Sequence, residues 1–252
     1  MRYAIPWDFA ALLFILAVVV PWRGYVRVKQ LLRAQTVTTP ERLVLYASTI
    51  AFQWIFTVFV FWRSRIHGYH PADLGITLAR PGFVLTAAAV LTALITANQL
   101  ASIRRLATMP SDKQGPFRAL SLKLMPQNAS ERLAFFALVV TVAICEEILY
   151  RGWAQKFFQD VAGGSAFFAV IASAALFSVA HIYQGRRGLI ATFIVGAVFS
   201  VVRASTGSLL PTMAAHFAAD FAAGLLAPVW LNGHSTEPIG KGAAVGGGGS
   251  NS

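Results

Sequence analysis

Acidic residues are scarce in this 252-residue sequence, which contains ten Asp and Glu against 21 Lys and Arg. Charged residues make up only 12% of the chain and hydrophobic residues 56%, whereas soluble domains contain about 25% charged residues. This composition argues against an ordinary soluble enzyme and predicts a polytopic membrane protein. Loops that border anionic lipid explain the net charge of +11, so we expect no nucleic-acid partner.

Cysteine is almost absent. The single cysteine, Cys145, excludes an intramolecular disulfide and a CxxC metal site. We expect Cys145 to be an inert buried side chain.

Long hydrophobic runs dominate the rest of the sequence, and about 20 apolar residues suffice for a membrane-spanning helix. The fold class predicted is all-α, a polytopic transmembrane helical bundle of about seven to eight helices. The first run ends at Pro21 and Trp22 rather than at a small-residue cleavage site, which predicts a retained span. Helices are expected near residues 8–22, 44–62, 82–100, 132–158, 164–184, 188–203 and 208–230.

The connections between the runs divide the chain further. Residues 101–131 contain Gly115, Pro116 and Pro126, which predict an interfacial loop with only a short amphipathic piece. We expect one transmembrane domain over residues 1–231, with a flexible Gly-rich tail over 232–252. Lys and Arg are most numerous in the first, third and fifth connections, which predicts that these connections are cytoplasmic.

Five ionisable side chains lie inside the predicted spans. A charged carboxylate in mid-bilayer costs at least about 2.5–3.5 kcal/mol, so such groups are expected to face the protein interior and one another. All of them lie in the second half of the chain, with a motif-bearing core at 130–227. They are Glu146, Glu147, His181, His216 and Asp220.

Helical spacing predicts different roles for the two adjacent glutamates. Glu147 and Arg151 are four residues apart, with the acid on the N-terminal side, which favours an ion pair. Glu146 is rotated about 100° away and is left available as a general base.

The histidines follow a similar spacing rule. His216 and Asp220 are also four residues apart, so Asp220 can orient one ring nitrogen and leave the other to act. Phe177 lies four residues before His181 and is expected to form an apolar wall of the pocket.

These residues spell three motifs: EEILYR at 146–151, FSVAH at 177–181 and HFAAD at 216–220. Their ordered set resembles the pattern EExxxR, FxxxH and HxxxN or HxxxD of the CPBP family, membrane proteases that include type II CAAX prenyl endopeptidases and bacteriocin-processing relatives. The resemblance implies that Glu146 activates water and that His181 helps to hold it.

The same resemblance implies that Glu147 and Arg151 form a structural pair, and that His216 and Asp220 either stabilise the oxyanion or support the groups that contact the substrate. Asp220 stands where many members have asparagine. Because an ionised aspartate cannot donate a hydrogen bond, we expect His216 to be the donor and Asp220 its orienter.

Metal dependence stays open at this point. Glu146, His181 and His216 match a catalytic zinc set by ligand type, but the sequence has no HExxH spacing. The family resembled is more often described as glutamate-dependent and metal-free. No cofactor is therefore favoured, and a divalent metal such as zinc is the alternative.

The sequence thus predicts an intramembrane endopeptidase that hydrolyses a peptide bond near the end of a membrane-associated protein or peptide. It is expected in the lipid bilayer of the cytoplasmic (inner) membrane of a bacterium. The alternatives are a catalytically silent membrane scaffold or regulator of the same family and a proton-coupled transporter. A prenylated C-terminus, a leader peptide and a C-terminal sorting tail all remain open as substrates.

Overall fold

The computed structural model describes residues 5–110 and 115–233, and within these ranges it contains helices and no strand. The predicted all-α class is confirmed. The helices are α1 Trp7–Arg33, α2 Thr39–Ile66, α3 Pro81–Ala107, α4 Gly115–Leu124, α5 Ala129–Val161, α6 Ala166–Ala180, α7 Gly185–Thr206 and α8 Leu210–Gly233.

Six of the helical stretches in the described ranges are long and apolar enough to cross a membrane. The protein is therefore an integral membrane protein by the length and composition of its helices. Each of the seven predicted helices has a counterpart, but α6 has only 15 residues and is shorter than a full span.

Several predicted boundaries were wrong. Helix α1 continues eleven residues beyond the predicted end at residue 22 and finishes at Arg33, because its basic last third remains helical beyond the apolar run. The predicted loop 101–131 contains α4, which agrees with the short amphipathic piece expected there, but α3 extends into it as far as Ala107. Helix α8 extends through Gly233, and residues 234–252 of the predicted tail lie outside the described residues.

Local signals define several helix ends. Thr38 and Glu41 form a reciprocal capping box at the start of α2. The Asn128 side chain accepts a hydrogen bond from the backbone N–H of Glu131 at the start of α5. Gly207 ends α7 in the left-handed region, with φ of 73°.

Helix α5 lies at the centre of the bundle. Half of its most apolar window is buried inside the protein, compared with 17–33% for the other candidate spans. Trp153 of α5 is fully buried in a cluster with side chains from α1, α2 and α6, among them Phe9, Phe56 and Leu176. The EEILYR motif therefore lies on the most buried of the candidate spans.

Two acidic residues outside the three motifs are buried in ion pairs. Glu131 is fully buried and its Oε1 lies 2.8 Å from Nη1 of Arg42. Asp8 is 3% exposed and lies 2.6 Å from Nε of Arg63 and 2.8 Å from Nε2 of His67. The sequence could not show these pairs because their members lie more than 50 positions apart.

The helices pack in pairs that converge on α5. Helix α2 packs along α5, α6 along α7, and α3 along α8. Both α6 and α8 also contact α5. This arrangement brings the three motif-bearing segments to one region of the bundle interior.

Candidate active site

The first motif lies where α5 changes its geometry. From Glu147 to Ala154 the helix widens to π geometry, a local distortion that is frequent at functional sites. All eight residues of this segment are buried. Glu146 is the last α-helical residue before it.

Glu147 is the centre of a buried ionic group. Its Oε1 lies 2.9 Å from Nη1 of Arg151, and both side chains have no exposed surface. The same oxygen lies 3.0 Å from Nδ1 of His216. The pairing with Arg151 follows the predicted spacing, but the contact with His216 joins the first and third motifs and was not predicted.

His216 is flanked by carboxylates on both ring nitrogens. A carboxylate oxygen can only accept, so the Nδ1–H group of His216 donates this hydrogen bond to Glu147. Nε2 lies 3.5 Å from Oδ2 of Asp220, whose side chain is 43% exposed. The sequence predicted one orienting carboxylate and one free nitrogen; the structure instead has Glu147 as the close partner and Asp220 as the longer, more exposed one.

Glu146 differs from Glu147 in its partners. Its Oε1 accepts a hydrogen bond of 2.9 Å from Nε2 of Gln53 on α2. Its Oε2 is buried and has no hydrogen-bond partner among the described residues. Glu146 is thus fixed by a neutral amide and has no direct cationic partner in the described part of the chain.

Sequence reasoning missed Gln53. The available signal was a lone amide side chain in the apolar run of α2, where an unsatisfied polar group is costly. Its partner lies 93 positions away, so the sequence alone could not identify what Gln53 binds.

The sequence predicted that His181 lies within a helix, but the structure places it at the end of α6. It is the C-terminal cap of α6 and is followed by a short 3-10 turn over Ile182–Gln184. Its Nδ1 lies 2.8 Å from the carbonyl oxygen of Phe177. Since a carbonyl can only accept, Nδ1 is protonated and Nε2 is the nitrogen that can contact a water molecule or a substrate.

Phe177 connects the three motifs through its ring. The Arg151 guanidinium lies 4.0 Å from the ring centroid of Phe177, a cation–π arrangement. The His181 and His216 rings lie 4.5 Å and 6.3 Å from it, centroid to centroid. The predicted apolar wall is therefore also the common packing partner of the site.

The residues of the three motifs lie close to one another in the bundle. The Asp220 carboxyl lies within electrostatic reach of Glu146, Glu147, His181 and His216. None of these side chains is fully exposed. The structure thus brings the predicted residues into one cluster between α5, α6 and α8.

The fit of a metal ion can be tested on the same residues. Over residues 5–110 and 115–233, no group of three His, Cys, Asp or Glu side chains is arranged to hold a metal ion. Glu146, His181 and His216 do not form a ligand set as they are placed.

Two nearby side chains, Ser173 and Cys145, are of types that serve as nucleophiles in other proteases, but neither is available to a substrate. The Ser173 hydroxyl donates a hydrogen bond of 2.8 Å to the carbonyl oxygen of Tyr150. Cys145 is fully buried. Neither side chain is offered to the region where Glu146 and the two histidines meet.

Comparison with known proteins adds an independent finding. Residues 128–222 match the family model described as type II CAAX prenyl endopeptidase Rce1-like. This segment is similar to the intramembrane protease family predicted from the motifs. The match covers all three motifs and confirms the family predicted from them. No curated protein and no solved structure matches the chain.

The family-model match gives the site a general function. The family is one of intramembrane proteases, and the six candidate spans fit an enzyme embedded in the bilayer. The matched segment runs from the start of α5 to the middle of α8. Gln53, on α2, lies outside it.

Proposed function

We propose that this protein is a glutamate-dependent intramembrane endopeptidase that cleaves a membrane-associated protein or peptide near its end. The observation that carries the proposal is the difference between the two adjacent glutamates. Glu147 is compensated by Arg151 and His216, whereas the hydrogen-bond partner of Glu146 among the described residues is the neutral Gln53 amide. Glu146 is therefore the carboxylate free to accept a proton.

The proposed reaction is direct attack by water. Glu146 accepts one proton of the water while the oxygen of the water bonds to the scissile carbonyl carbon. The C–N bond then breaks as Glu146 returns that proton to the leaving nitrogen. The products are a carboxylic acid and an amine, and no acyl-enzyme is formed.

The two histidines have separate roles in this scheme. His181 presents Nε2 and is suited to hold the attacking water, because its Nδ1 is occupied by the Phe177 carbonyl. His216 has a carboxylate beside each ring nitrogen, Glu147 at Nδ1 and Asp220 at Nε2, an arrangement that favours the doubly protonated ring. Nδ1–H donates to Glu147, and Nε2–H is then available to donate to the oxyanion. Asp220, 3.5 Å from Nε2, helps to orient the ring.

The substrate is expected to reach the site from the bilayer. We propose that the enzyme resides in the cytoplasmic (inner) membrane of a bacterium, with a C-terminus, leader or sorting tail of a membrane-associated protein as its target. The lipid bilayer is its environment, and no nucleic acid or resident cofactor has a role in this scheme.

The direct test compares full-length wild-type protein with Glu146→Gln in proteoliposomes, using prenylated and unprenylated peptides as substrates. The substitution removes the base but preserves the size of the side chain, so cleavage is expected to fall at least about a hundredfold. Glu41→Gln is the matched control, because Glu41 is exposed and glutamine also supports a capping box.

A second measurement identifies the natural substrate without assuming one. Protein termini are compared across the proteome of cells that contain the wild-type enzyme or Glu146→Gln. Termini that appear only with wild type are expected. Unchanged termini, together with equal peptide cleavage by both forms, would contradict the proposed function and favour a scaffold.

A further inference from the structure

Helix α7 carries none of the three motifs, but one of its side chains lies against two of them. The Arg151 guanidinium carbon lies over the ring of Phe199, 5.3 Å from its centroid. The His216 ring lies 6.2 Å from the same ring, centroid to centroid. Phe199 is 2% exposed, so its ring is enclosed by the protein together with these two groups.

Phe177 on α6 has the same two neighbours. Its ring centroid lies 4.0 Å from the Arg151 guanidinium carbon and 6.3 Å from the centroid of the His216 ring. The guanidinium group therefore lies over two aromatic rings, one from α6 and one from α7. We call Phe177 and Phe199 the aromatic clamp.

The aromatic clamp adjoins the buried ionic group. Oε1 of Glu147 lies 2.9 Å from Nη1 of Arg151 and 3.0 Å from Nδ1 of His216, so one carboxylate oxygen joins the two basic side chains. The negative face of a phenylalanine ring attracts cations. Because each ring of the clamp adjoins both Arg151 and His216, a change at either ring is expected to move the carboxylate and the imidazole together.

The position of Phe199 is fixed by three helices. Its side chain packs in a buried cluster with Leu91 of α3 and Ala215 of α8. Gly196 lies one turn before Phe199 on α7, and a Cβ added to it would lie 3.4 Å from Nη2 of Arg151. The α7 backbone therefore comes close to the guanidinium group at this point, and the Phe199 ring is held against it by its own packing.

We propose that Phe199 is a positioning residue of the peptidase, which holds His216 in the orientation that stabilises the oxyanion. This inference rests on the proposed function, because it assigns Phe199 a role in the reaction at Glu146. Phe199 acts through the buried ionic group and does not touch the substrate. The attraction between its ring face and the neighbouring cations depends on the charge distribution of the ring as well as on its size.

The first test compares the kinetics of Phe199→Leu and wild-type protein in proteoliposomes. Loss of a whole oxyanion donor lowers kcat by about 10²–10³, so a displaced donor is expected to lower kcat about tenfold and to leave KM within about twofold. Phe157→Leu is the matched control, because Phe157 is 1% exposed and its ring stacks on that of Trp153 at 5.6 Å. The control is expected to lower Tm by a similar amount and to keep the wild-type kcat.

The second test changes the charge distribution of the ring without removing the ring. Phenylalanine with one, two or three ring fluorines is introduced at position 199 by amber suppression, and each fluorine weakens the negative ring face that attracts cations. We expect kcat to fall stepwise along this series, and the same series at position 157 to leave kcat nearly unchanged. A constant kcat along the position-199 series would mean that the ring acts by its volume alone, and the proposal would fail.

A third measurement does not depend on turnover, so that the two proposals can fail separately. The ring nitrogens of ¹⁵N-labelled histidine are observed by NMR in detergent, and the signals of His216 are assigned with His216→Asn. We expect Phe199→Leu to shift these signals and Phe157→Leu to leave them in place. If Glu146→Gln still cleaves peptides, the proposed function fails, while the histidine signals still test the contact with Phe199.

Two further outcomes would overturn the positioning role. One is a folded Phe199→Leu protein with the kcat of wild type, or with a loss of kcat no larger than that of Phe157→Leu at the same Tm. The other is a set of His216 signals in Phe199→Leu that matches wild type, which would leave Phe199 as an ordinary packing residue of α7.

Discussion

Replacing Arg151 by methionine tests the buried ionic group most directly. Arg151 and Glu147 have no exposed side-chain surface and lie 2.9 Å apart. Removing one partner of such a pair costs about 3–5 kcal/mol, because the other charge stays buried. His216 still contacts Glu147 at 3.0 Å, which offsets part of that cost.

The packing of Arg151 adds a second contribution. Its guanidinium lies 4.0 Å from the centroid of Phe177 and 5.3 Å from that of Phe199, and a desolvated cation–π contact contributes about 2 kcal/mol. Methionine fills most of the volume but makes neither interaction. We expect the free energy of unfolding to fall by about 3 kcal/mol or more, or roughly 6–12 °C in Tm for a chain of this size.

The assay is thermal unfolding of purified protein in detergent, with SDS titration as an independent measure of the free energy. The double variant Glu147→Gln, Arg151→Met removes both charges and is expected to recover at least about 2 kcal/mol relative to Arg151→Met alone. Arg33→Met, at an exposed position of α1, is the control and is expected to change Tm little.

The reasoning is refuted by either of two results. One is an Arg151→Met protein with the Tm of wild type. The other is a double variant that is no more stable than the single one, which would mean that Arg151 does not compensate Glu147.

Three further predictions concern neighbouring residues. Gln53→Leu removes the amide that holds Glu146; we expect kcat to fall about tenfold with a displaced pH–rate profile, and an unchanged profile would contradict a positioning role. Gly152→Ala brings a Cβ to 2.9 Å from the Leu74 carbonyl oxygen and is expected to lower stability by about 1–3 kcal/mol, so a wild-type Tm would count against this packing. Ser173→Ala loses a buried hydrogen bond and about 1 kcal/mol but is expected to remain active, since a dead but folded variant would indicate a serine nucleophile.

Contacts between side chains four residues apart on one helix could be predicted from the sequence, because a helix has a fixed repeat. Glu147 and Arg151 form the pair that their spacing predicted, and they do so even though the segment is π-helical. The distance of four residues keeps the two side chains adjacent in either geometry. The His216–Asp220 spacing gave only a looser contact, at 3.5 Å, because His216 has a better partner on another helix.

The helix ends were less predictable. The end of an apolar run does not mark the end of a helix when a basic amphipathic segment continues it. Helix α1 continues in this way to Arg33. Apolar runs also concealed the end of α6, where the His181 ring nitrogen binds the carbonyl oxygen of Phe177. A side chain that competes for a backbone acceptor leaves no trace in a hydrophobicity pattern.

The sequence by itself determined that this protein lies in a lipid bilayer and that it is helical. It also determined which of the few ionisable groups face inward, because burying charge in lipid is costly wherever the helices lie. Only the tertiary structure decided which groups compensate one another: that Glu147 binds His216, that Gln53 binds Glu146, and that Arg27 turns toward α2. Those contacts join residues 22 to 93 positions apart. They depend on how whole helices pack, which no local repeat encodes.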